Sequence, residues 1–478
     1  MLTITDLSMQ FGGRTLFKNV NVNFAKGECY GIIGANGAGK STLLRIISGD
    51  LEPTSGHVTL TDNERMSVLK QNQDAFDNET VLRTVLLGHK RLVEVMDQKE
   101  ALYSKADFTE EDGILAGELE NEFAELGGWE AESEAQTMLN NLGVSTEFHD
   151  KLMSEIDSKL KVKVLLAQAL FGNPDILVLD EPTNNLDALA ASWLEDFLAD
   201  FENTILIVSH DRYFLNKVCT RILDVDYNEV RSYIGNYDFW YESSQLLQRQ
   251  MKQENAKKED KIKELQDFIA RFSANASKSR QATSRKKLLD KITLDDIKPS
   301  SRRYPFVDFK FDTEIGNDVL TVEDATIDGF FKNLSFTLRK TDKVAFIADN
   351  SVAVTKLFNA LAGEEKFDSG KFKFGITINP VYFSSSLNEF DGIEENLVDY
   401  LRPYSPDQLD SFIRGYLGRM LFSGEEALKQ VKVLSGGEKV RLKLSKMMLK
   451  PGNLMMMDDP TNHLDLESIE SVNRGLMN

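Results

Sequence analysis

The chain has 478 residues and 41% hydrophobic content, which predicts about three domains of ordinary size with packed cores. No run approaches the roughly 18 apolar residues that a membrane span needs, and the first residues lack a charged and then apolar signal, so we expect no membrane partner. The net charge of −20 argues against a surface that binds nucleic acid throughout, and two cysteines, Cys29 and Cys219, indicate a reduced, cytoplasmic environment.

The first segments alternate in the manner of β-strands, at residues 2–4 and again at residues 20–24. Phe11 lies between them. The residues alone leave two interpretations of this ring: it belongs to the core, or it stacks on a nucleotide base.

A phosphate loop follows the apolar run at residues 29–33, which predicts a buried strand. Residues 34–42 read Gly-Ala-Asn-Gly-Ala-Gly-Lys-Ser-Thr and match G-x-x-x-x-G-K-[ST] in full, and apolar residues at helical spacing predict a helix from Lys40. Glycines let backbone N–H groups point at a phosphate, and the helix N-terminus favours its charge. Lys40 is expected to reach the outer phosphates and Ser41 to hold Mg²⁺. The predicted nucleotide contacts here are Gly34, Asn36, Gly37, Gly39, Lys40, Ser41 and Thr42.

Gln71 follows a strand-like stretch at residues 67–69. It is either a ligand for Mg²⁺ and the attacking water or a polar strand end. The acidic residues that follow predict helices at 81–95, 118–126 and 131–142, whose charge is most simply a solvated face.

A second chemical motif occupies residues 175–181, Asp-Ile-Leu-Val-Leu-Asp-Glu. Four apolar residues predict a buried strand that ends in two carboxylates, the Walker B arrangement. Asp180 is expected to hold Mg²⁺ through water, and Glu181 to position or deprotonate the attacking water. His210 follows the next apolar strand, at residues 204–208, where a γ-phosphate sensor belongs, although a histidine taken alone is more often structural.

The second half repeats the first, because residues 458–465 echo residues 180–187 at an offset of 278. The loop expected after the strand-like run 344–347 has lost its chemistry: Ala353 replaces Gly39 and Val354 replaces Lys40. Lys40 and Asp180 are 140 residues apart, whereas Val354 and Asp458 are 104 apart. The 36 extra residues therefore predict an inserted helical arm, at about 84–130.

Residues 434–438, Leu-Ser-Gly-Gly-Glu, open a predicted helix and resemble the signature of ABC ATPases. The matching residues 156–160 of the first half contain no glycine. With residues 268–282 and the Glu-Pro-Thr-Asn run after Asp180, the whole chain resembles the ABC-F family, in its YbiT-type subgroup. The resemblance implies an α/β fold, with two tandem P-loop ABC-type nucleotide-binding domains joined by a long α-helical hairpin linker. The implied nucleotide contacts are Ser435, Gly436, Gly437 and Glu438.

The implied boundaries are 1–235 and 304–478 for the two domains and 236–303 for the linker, with the second domain degenerate and truncated at its C-terminus. In this family each nucleotide lies between one half's phosphate loop and the other half's signature. The first such site is complete, with Glu181 and His210 as catalytic residues and Ser41, Gln71 and Asp180 at the metal. The second lacks the lysine, the glutamate and the signature glycines. We therefore expect one competent site, with ATP and Mg²⁺ as cofactors.

The linker has no glycine from 236 to 315, and Ile262, Leu265, Ile269 and Phe272 form a coiled-coil seam. Residues 249–303 hold 16 basic and 8 acidic residues, a net charge of +8 beside −28 for the rest of the chain. A charge run is usually a solvated face, but this contrast favours contact with RNA phosphates. The resemblance names the ribosome as the partner, with rRNA and tRNA as ligands and no DNA. The predicted RNA contacts are Arg271, Lys278, Arg280, Arg285, Lys286 and Lys287.

The sequence is also compatible with three other functions. A ribosome-binding regulator that does not hydrolyse ATP would carry the same motifs. The ATP-binding subunit of a transporter would leave the basic linker unexplained. A coiled-coil DNA-maintenance ATPase would place its phosphate loop and its signature on opposite sides of the coil.

Overall fold

The computed structural model describes the whole chain apart from residues 71, 106, 185, 273–301, 312–313, 349–350, 451 and 478. Its first half is an α/β domain with two sheets. The strands are β1 Thr3–Phe11, β2 Arg14–Asn23, β3 Cys29–Ile33, β4 Ser55–Thr59, β5 Met66–Val68, β6 Ile176–Asp180, β7 Thr204–Val208, β8 Arg221–Asp226 and β9 Glu229–Ile234. The helices are α1 Lys40–Ile47, α2 Val81–Leu86, α3 Lys90–Tyr103, α4 Glu110–Glu125, α5 Gly128–Asn141, α6 Ser158–Leu170, α7 Ala188–Ala199 and α8 Arg212–Val218.

The main sheet of the first half has the strand order β5-β6-β7-β3-β8-β9, and only the β8–β9 pair is antiparallel. Every residue of β3 and β7 is buried, as expected for central strands with helices on both faces. Because β3, β6 and β7 run parallel, their carboxyl ends meet at one edge. The loop after β3, the carboxylates after β6 and the histidine after β7 therefore lie together.

The acidic stretch departs from its predicted helices. The expected helix at 81–95 is interrupted, because α2 ends at Leu86 and α3 begins at Lys90. Gly88 causes the break: a Cβ there would lie 2.1 Å from the carbonyl oxygen of Gln168, so this backbone packs directly on α6. The expected helix at 118–126 begins earlier, at Glu110, because Thr109 and Asp112 form a capping box.

The second half contains strands β10 Asp318–Ile327, β11 Phe331–Arg339, β12 Ser369–Phe374, β13 Pro380–Phe383 and β14 Leu454–Met457. Its helices are α10 Ser351–Ala362, α11 Leu397–Leu401, α12 Asp410–Arg419, α13 Gly436–Leu449 and α14 Leu466–Met477. The strand predicted at 344–347 is absent, and Val344 and Ile347 are exposed. In the first half the corresponding strand is β3, which pairs with β7 and β8. In the described part of the chain no strand follows β14, so residues 344–347 have no counterpart of β7 or β8 beside them.

Helices α3 and α4 have no counterpart among the described residues of the second half. There, α11 and α12 correspond to α2 and α5. Strand pairing supports this alignment. In the first half, Val68 of β5 lies opposite Val178 of β6. In the second half, Tyr382 of β13 lies opposite Met456 of β14 in the same way. The two helices span Lys90 to Glu125, within the arm predicted at about 84–130.

Helix α9, Tyr237–Phe272, forms the described part of the linker. Of its predicted seam, Leu265 is buried and Ile262 is half-buried. The second helix of the predicted hairpin falls outside the described residues. Arg271 lies in the last turn of α9 and its side chain is not described, and the other five predicted RNA contacts lie within 273–301. None of the helices that the structure describes has the length and apolar composition needed to cross a bilayer.

Candidate active site

The phosphate loop has the backbone geometry that its glycines predict. Gly39 precedes α1 at φ +107°, a left-handed conformation that a side chain would strain. Lys40 is buried, and its Nζ donates to the carbonyl oxygens of Gly34 at 2.7 Å and Ala35 at 3.3 Å. Burial lowers the pKa of Lys40, and the nearby carboxylate of Glu181 opposes that shift. The ammonium group is therefore held inside the loop, close to the carboxylates.

The structure places the other predicted residues of the first half around this loop. Ser41 and Thr42 lie in the first turn of α1, and Asn36 and Gly37 lie in the loop before it. Phe11 is the last residue of β1 and 52% of it is exposed, so it does not belong to the core, and base stacking stays a prediction. Gln71 falls outside the described residues.

Glu181 and His210 meet at the carboxyl ends of β6 and β7. The backbone N–H of His210 donates to Glu181 Oε2 at 3.3 Å, and His210 Nε2 lies 3.5 Å from Oε1. Burial and the neighbouring Asp180 raise the pKa of Glu181 to about 7. Burial and the charge of Lys40 lower the pKa of His210 to about 4. At neutral pH about half of the Glu181 carboxyl groups are therefore ionised, and the His210 imidazole is neutral. These states suit Glu181 as a proton acceptor and His210 as a neutral group that senses the γ-phosphate.

These two pKa values predict the pH dependence of ATP hydrolysis. Only ionised Glu181 accepts a proton, so kcat/KM should rise with pH through about 7, and its value at pH 6 should be about a tenth of the plateau. His210 stays neutral above pH 5 and should add no further step. Initial rates between pH 5.5 and 9 test this, with fluorescent ATP binding over the same range as the control for nucleotide protonation. A flat profile would contradict the assignment of Glu181 as base.

The signature of the second half lies against this loop. Ser435 caps α13, and its side chain and backbone N–H form a capping box with Glu438. A Cβ built on Gly437 would lie 2.8 Å from the carbonyl oxygen of His463 and 3.7 Å from the side-chain nitrogen of Asn36. Only glycine fits such a close approach. Both motifs line one cavity of about 2350 Å³, together with Lys40, Glu181 and His210.

The corresponding residues of the second half are arranged differently. Helix α10 begins at Ser351, which aligns with Gly37, so the positions of Gly37 and Gly39 are helical instead of forming a loop. Asp458, the counterpart of Asp180, accepts hydrogen bonds from Thr355 Oγ1 at 2.9 Å and Ser385 Oγ at 2.7 Å. Thr355 aligns with Ser41, and Ser385 aligns with Gln71. Side chains of the protein therefore satisfy this carboxylate.

Asp459 takes the place of Glu181 in the second half, with a similar left-handed backbone at φ +50°. Burial and Asp458 raise its pKa, while His463 and Lys159 lower it. Lys159 belongs to residues 156–160 of the first half, where the glycine-free counterpart of the signature lies. A lysine thus faces the second cleft where the first cleft has glycines.

Several residues at these clefts were not predicted from the sequence motifs. Thr355 and Ser385 are visible once the halves are aligned at an offset of 314 through the loop and β13. Asp465 and Glu467 act on Lys40, since both raise the pKa that burial lowers, but they lie more than 400 residues downstream in the chain. Arg302 binds Glu467, and its neighbours in the sequence do not predict this role, because it is only one of several basic residues at the end of the linker.

Comparison with known proteins agrees with this architecture. A family model described as ABC transporter matches residues 17–184 and again residues 331–462, and a second model with the same description matches residues 223–309. The chain is 59% identical to the uncharacterized ABC transporter ATP-binding protein YkpA of Bacillus subtilis, over 100% of this chain and 89% of that protein.

Two further relatives extend the comparison. The probable ATP-binding protein YbiT of Escherichia coli is 45% identical over 100% of this chain and 91% of its own length. ABC transporter F family member 2 of Arabidopsis thaliana is 31% identical over 99% of this chain and 72% of its own. With two cassettes that present a phosphate loop and a signature to one cleft, the chain belongs to the ABC transporter ATP-binding family.

Proposed function

We propose that this chain is an ABC-F type ATPase that hydrolyses ATP at one composite site and acts on the ribosome. The observation that carries the proposal is the approach of Gly437 to Asn36, because it joins the signature of one half to the phosphate loop of the other. The match to ABC transporter F family member 2 supports the choice of family. The proposed domains are 1–235 and 304–478, with the linker at 236–303.

In the proposed mechanism, Lys40 binds the outer phosphates, and the N–H groups of the loop and of the α1 N-terminus bind the remaining phosphate oxygens. Phe11 stacks on the base. Ser435 and the glycines after it contact the γ-phosphate from the opposite side. Glu181 accepts a proton from the attacking water, and neutral His210 contacts the γ-phosphate.

The residues present fit Mg²⁺. Ser41 and Asp180 offer hard oxygen ligands, and their counterparts Thr355 and Asp458 lie within 2.9 Å of each other, which supports placing the two positions side by side. No cluster of three acidic, histidine or cysteine ligands occurs in the described part of the chain. With Gln71 as a third ligand, bound Mg²⁺ would neutralise charge on the β- and γ-phosphates.

The second cleft is proposed to have no hydrolytic role. Val354 supplies no charge, the N–H groups that would cradle a phosphate lie within α10, and Asp458 is occupied by two hydroxyl groups. Lys159 faces Asp459 across the cleft. The second half then serves the first site through its signature.

Contact with ribosomal RNA is proposed for the basic linker. Residues 249–303 of the linker carry a net charge of +8 beside −28 on the rest of the chain, so phosphates attract this segment and repel the body. Closure of the two halves on ATP would set the orientation of α9, which leaves the first domain at Tyr237. Hydrolysis would then release the linker from rRNA and tRNA.

Ribosome pelleting tests this function. With Glu181→Gln, which retains ATP, the pelleted fraction should increase when ATP is added, and Lys40→Ala in the same background should remove that increase. If ATP does not change the pelleted fraction of the Glu181→Gln variant, the translation-factor proposal is wrong. Phosphate release by the unmodified chain distinguishes the proposed ATPase from a regulator that binds the ribosome without hydrolysing ATP.

Charge-reversal variants test whether the linker contacts ribosomal RNA. Reversal of Arg280, Arg285 and Lys286 to glutamate should weaken ribosome binding and reduce its salt dependence, because three phosphate contacts are lost. A matched reversal of three exposed lysines of the second half should have little effect on either property; these are Lys332, Lys340 and Lys373. Equal loss in both triple variants would show that net charge alone is responsible.

A further inference from the structure

A buried ionic cluster joins the linker to both halves of the molecule at Arg302. Its guanidinium group binds Asp224 at 2.6 Å and Asp226 at 3.2 Å, both on β8 of the first half. Its Nε binds Glu467 at 2.8 Å, on α14 of the second half. Only 11% of the Arg302 side chain is exposed, so the three carboxylates are paired away from water.

The other end of the linker reaches the same cluster. Trp240, in the first turns of α9, is 4% exposed, and the Arg302 guanidinium lies over its ring at 4.6 Å. The indole Nε1 donates to Asp224 Oδ2 at 3.2 Å. The start and the return of the linker therefore share one arginine, although more than 60 residues separate them in the chain.

From this cluster the chain leads back to the ATP cleft, because His463 and Leu464 line the same cavity as Lys40 and come directly before Asp465. Asp465 accepts from the backbone N–H of Ser468 at 2.9 Å and so caps α14, two residues before Glu467. Both carboxylates act on buried Lys40, and the charge of Asp465 also acts on His210. Glu467 thus lies in the first turn of a helix that begins three residues after His463 of the cleft, and its carboxylate binds Arg302.

The arrangement constrains how the halves can move. If the second half shifts relative to the first, the Arg302–Glu467 bond must break, or residue 302 must move with α14 away from β8. Either change removes a buried partner from a carboxylate, which is costly in a site with little water. An arginine suits this place because its planar fork can bind several carboxylates at once.

We propose that Arg302 is a positioning residue that couples nucleotide binding at Lys40 to the root of the linker, through Glu467. The inference rests on the proposed function, since it supplies the link between ATP-driven closure and the segment assigned to RNA. Nucleotide phosphates that pair with Lys40 would repel the carboxylates of Asp465 and Glu467, which changes the contacts of Arg302 with Glu467, with β8 and with Trp240.

Trp240 offers a direct readout of this coupling. The chain has three tryptophans, so Trp129→Phe and Trp193→Phe leave Trp240 as the sole indole in the full-length protein. With Glu181→Gln also present, Mg-ATP should produce a saturable change in Trp240 emission, at the midpoint where fluorescent mant-ATP binds. Adding Glu467→Gln should abolish the emission change while mant-ATP still saturates the site, at whatever midpoint the change of charge near Lys40 gives.

The matched control is Glu470→Gln on the same helix. Glu470 accepts from the Tyr241 hydroxyl of the linker at 3.3 Å and pairs with Arg474, and it should leave the Trp240 response intact. A response that survives Glu467→Gln, or binding with no response in the parent chain, would overturn the coupling and leave the ATPase proposal standing. Absence of mant-ATP binding in the parent chain would overturn both.

Discussion

Replacing Glu181 with glutamine should lower kcat for ATP hydrolysis by about 10²–10⁴-fold, the usual contribution of a general base. The amide keeps the size of the side chain and an oxygen for the His210 N–H, so the site should stay intact and mant-ATP should still bind. Loss of the proton acceptor is then the main change. Steady-state phosphate release, measured with saturating Mg-ATP, gives the rate.

Asp459→Asn is the matched control, since Asp459 occupies the equivalent position after β14 with the same backbone conformation. If hydrolysis is confined to the first cleft, this variant should keep the kcat of the unmodified chain. A loss comparable to that of Glu181→Gln would show that both clefts hydrolyse ATP, and the single-site proposal would fail.

Replacing Arg302 with methionine should lower the free energy of unfolding by about 3–5 kcal/mol, the usual cost of removing one partner from a buried ion pair. Methionine retains much of the apolar contact with Trp240. However, Asp224, Asp226 and Glu467 would each lose a cationic partner in a site that is closed to water. Urea unfolding of the full-length chain measures the change. This cost is the reason that Glu467→Gln is the better probe of coupling.

Arg402→Met provides the comparison for stability. Arg402 also binds two carboxylates, Asp399 at 2.9 Å and Asp410 at 2.7 Å, but both carboxylates are exposed and the Arg402 side chain is 31% exposed, against 11% for Arg302. Exposed pairs contribute about 0–1 kcal/mol, so the loss should be small. If the two arginine variants unfold at the same urea concentration, burial of the Arg302 cluster does not stabilise the fold.

Features that depend on neighbouring residues were readable from the sequence. The phosphate loop is one continuous strand, loop and helix, and its glycines define the backbone geometry wherever the segment is placed. The same holds for the carboxylates that end β6. Spacing alone predicted an arm, since 36 extra residues between matched motifs need a place outside the shared scaffold.

Features that depend on distant partners were not readable. The apolar run at 344–347 has the composition of a strand but lacks strand neighbours in the described structure, and three of its four residues stay exposed. The break at Gly88 results from contact with α6, a segment about 80 residues away. The hydroxyl group of Ser385 meets Asp458 because β13 and β14 pair side by side, and that of Thr355 reaches Asp458 from α10.

The sequence by itself determined the ATP-binding chemistry of this protein, because each motif of that chemistry is a short segment with its own backbone conformation. Only the tertiary structure decided which charges become buried together. Arg302, Asp224 and Glu467 come from the linker, the first half and the second half, and nothing in their local sequence marks them. Because the cluster is buried, removing one of its charges is costly, and the cluster is buried only when the two halves and the linker are assembled.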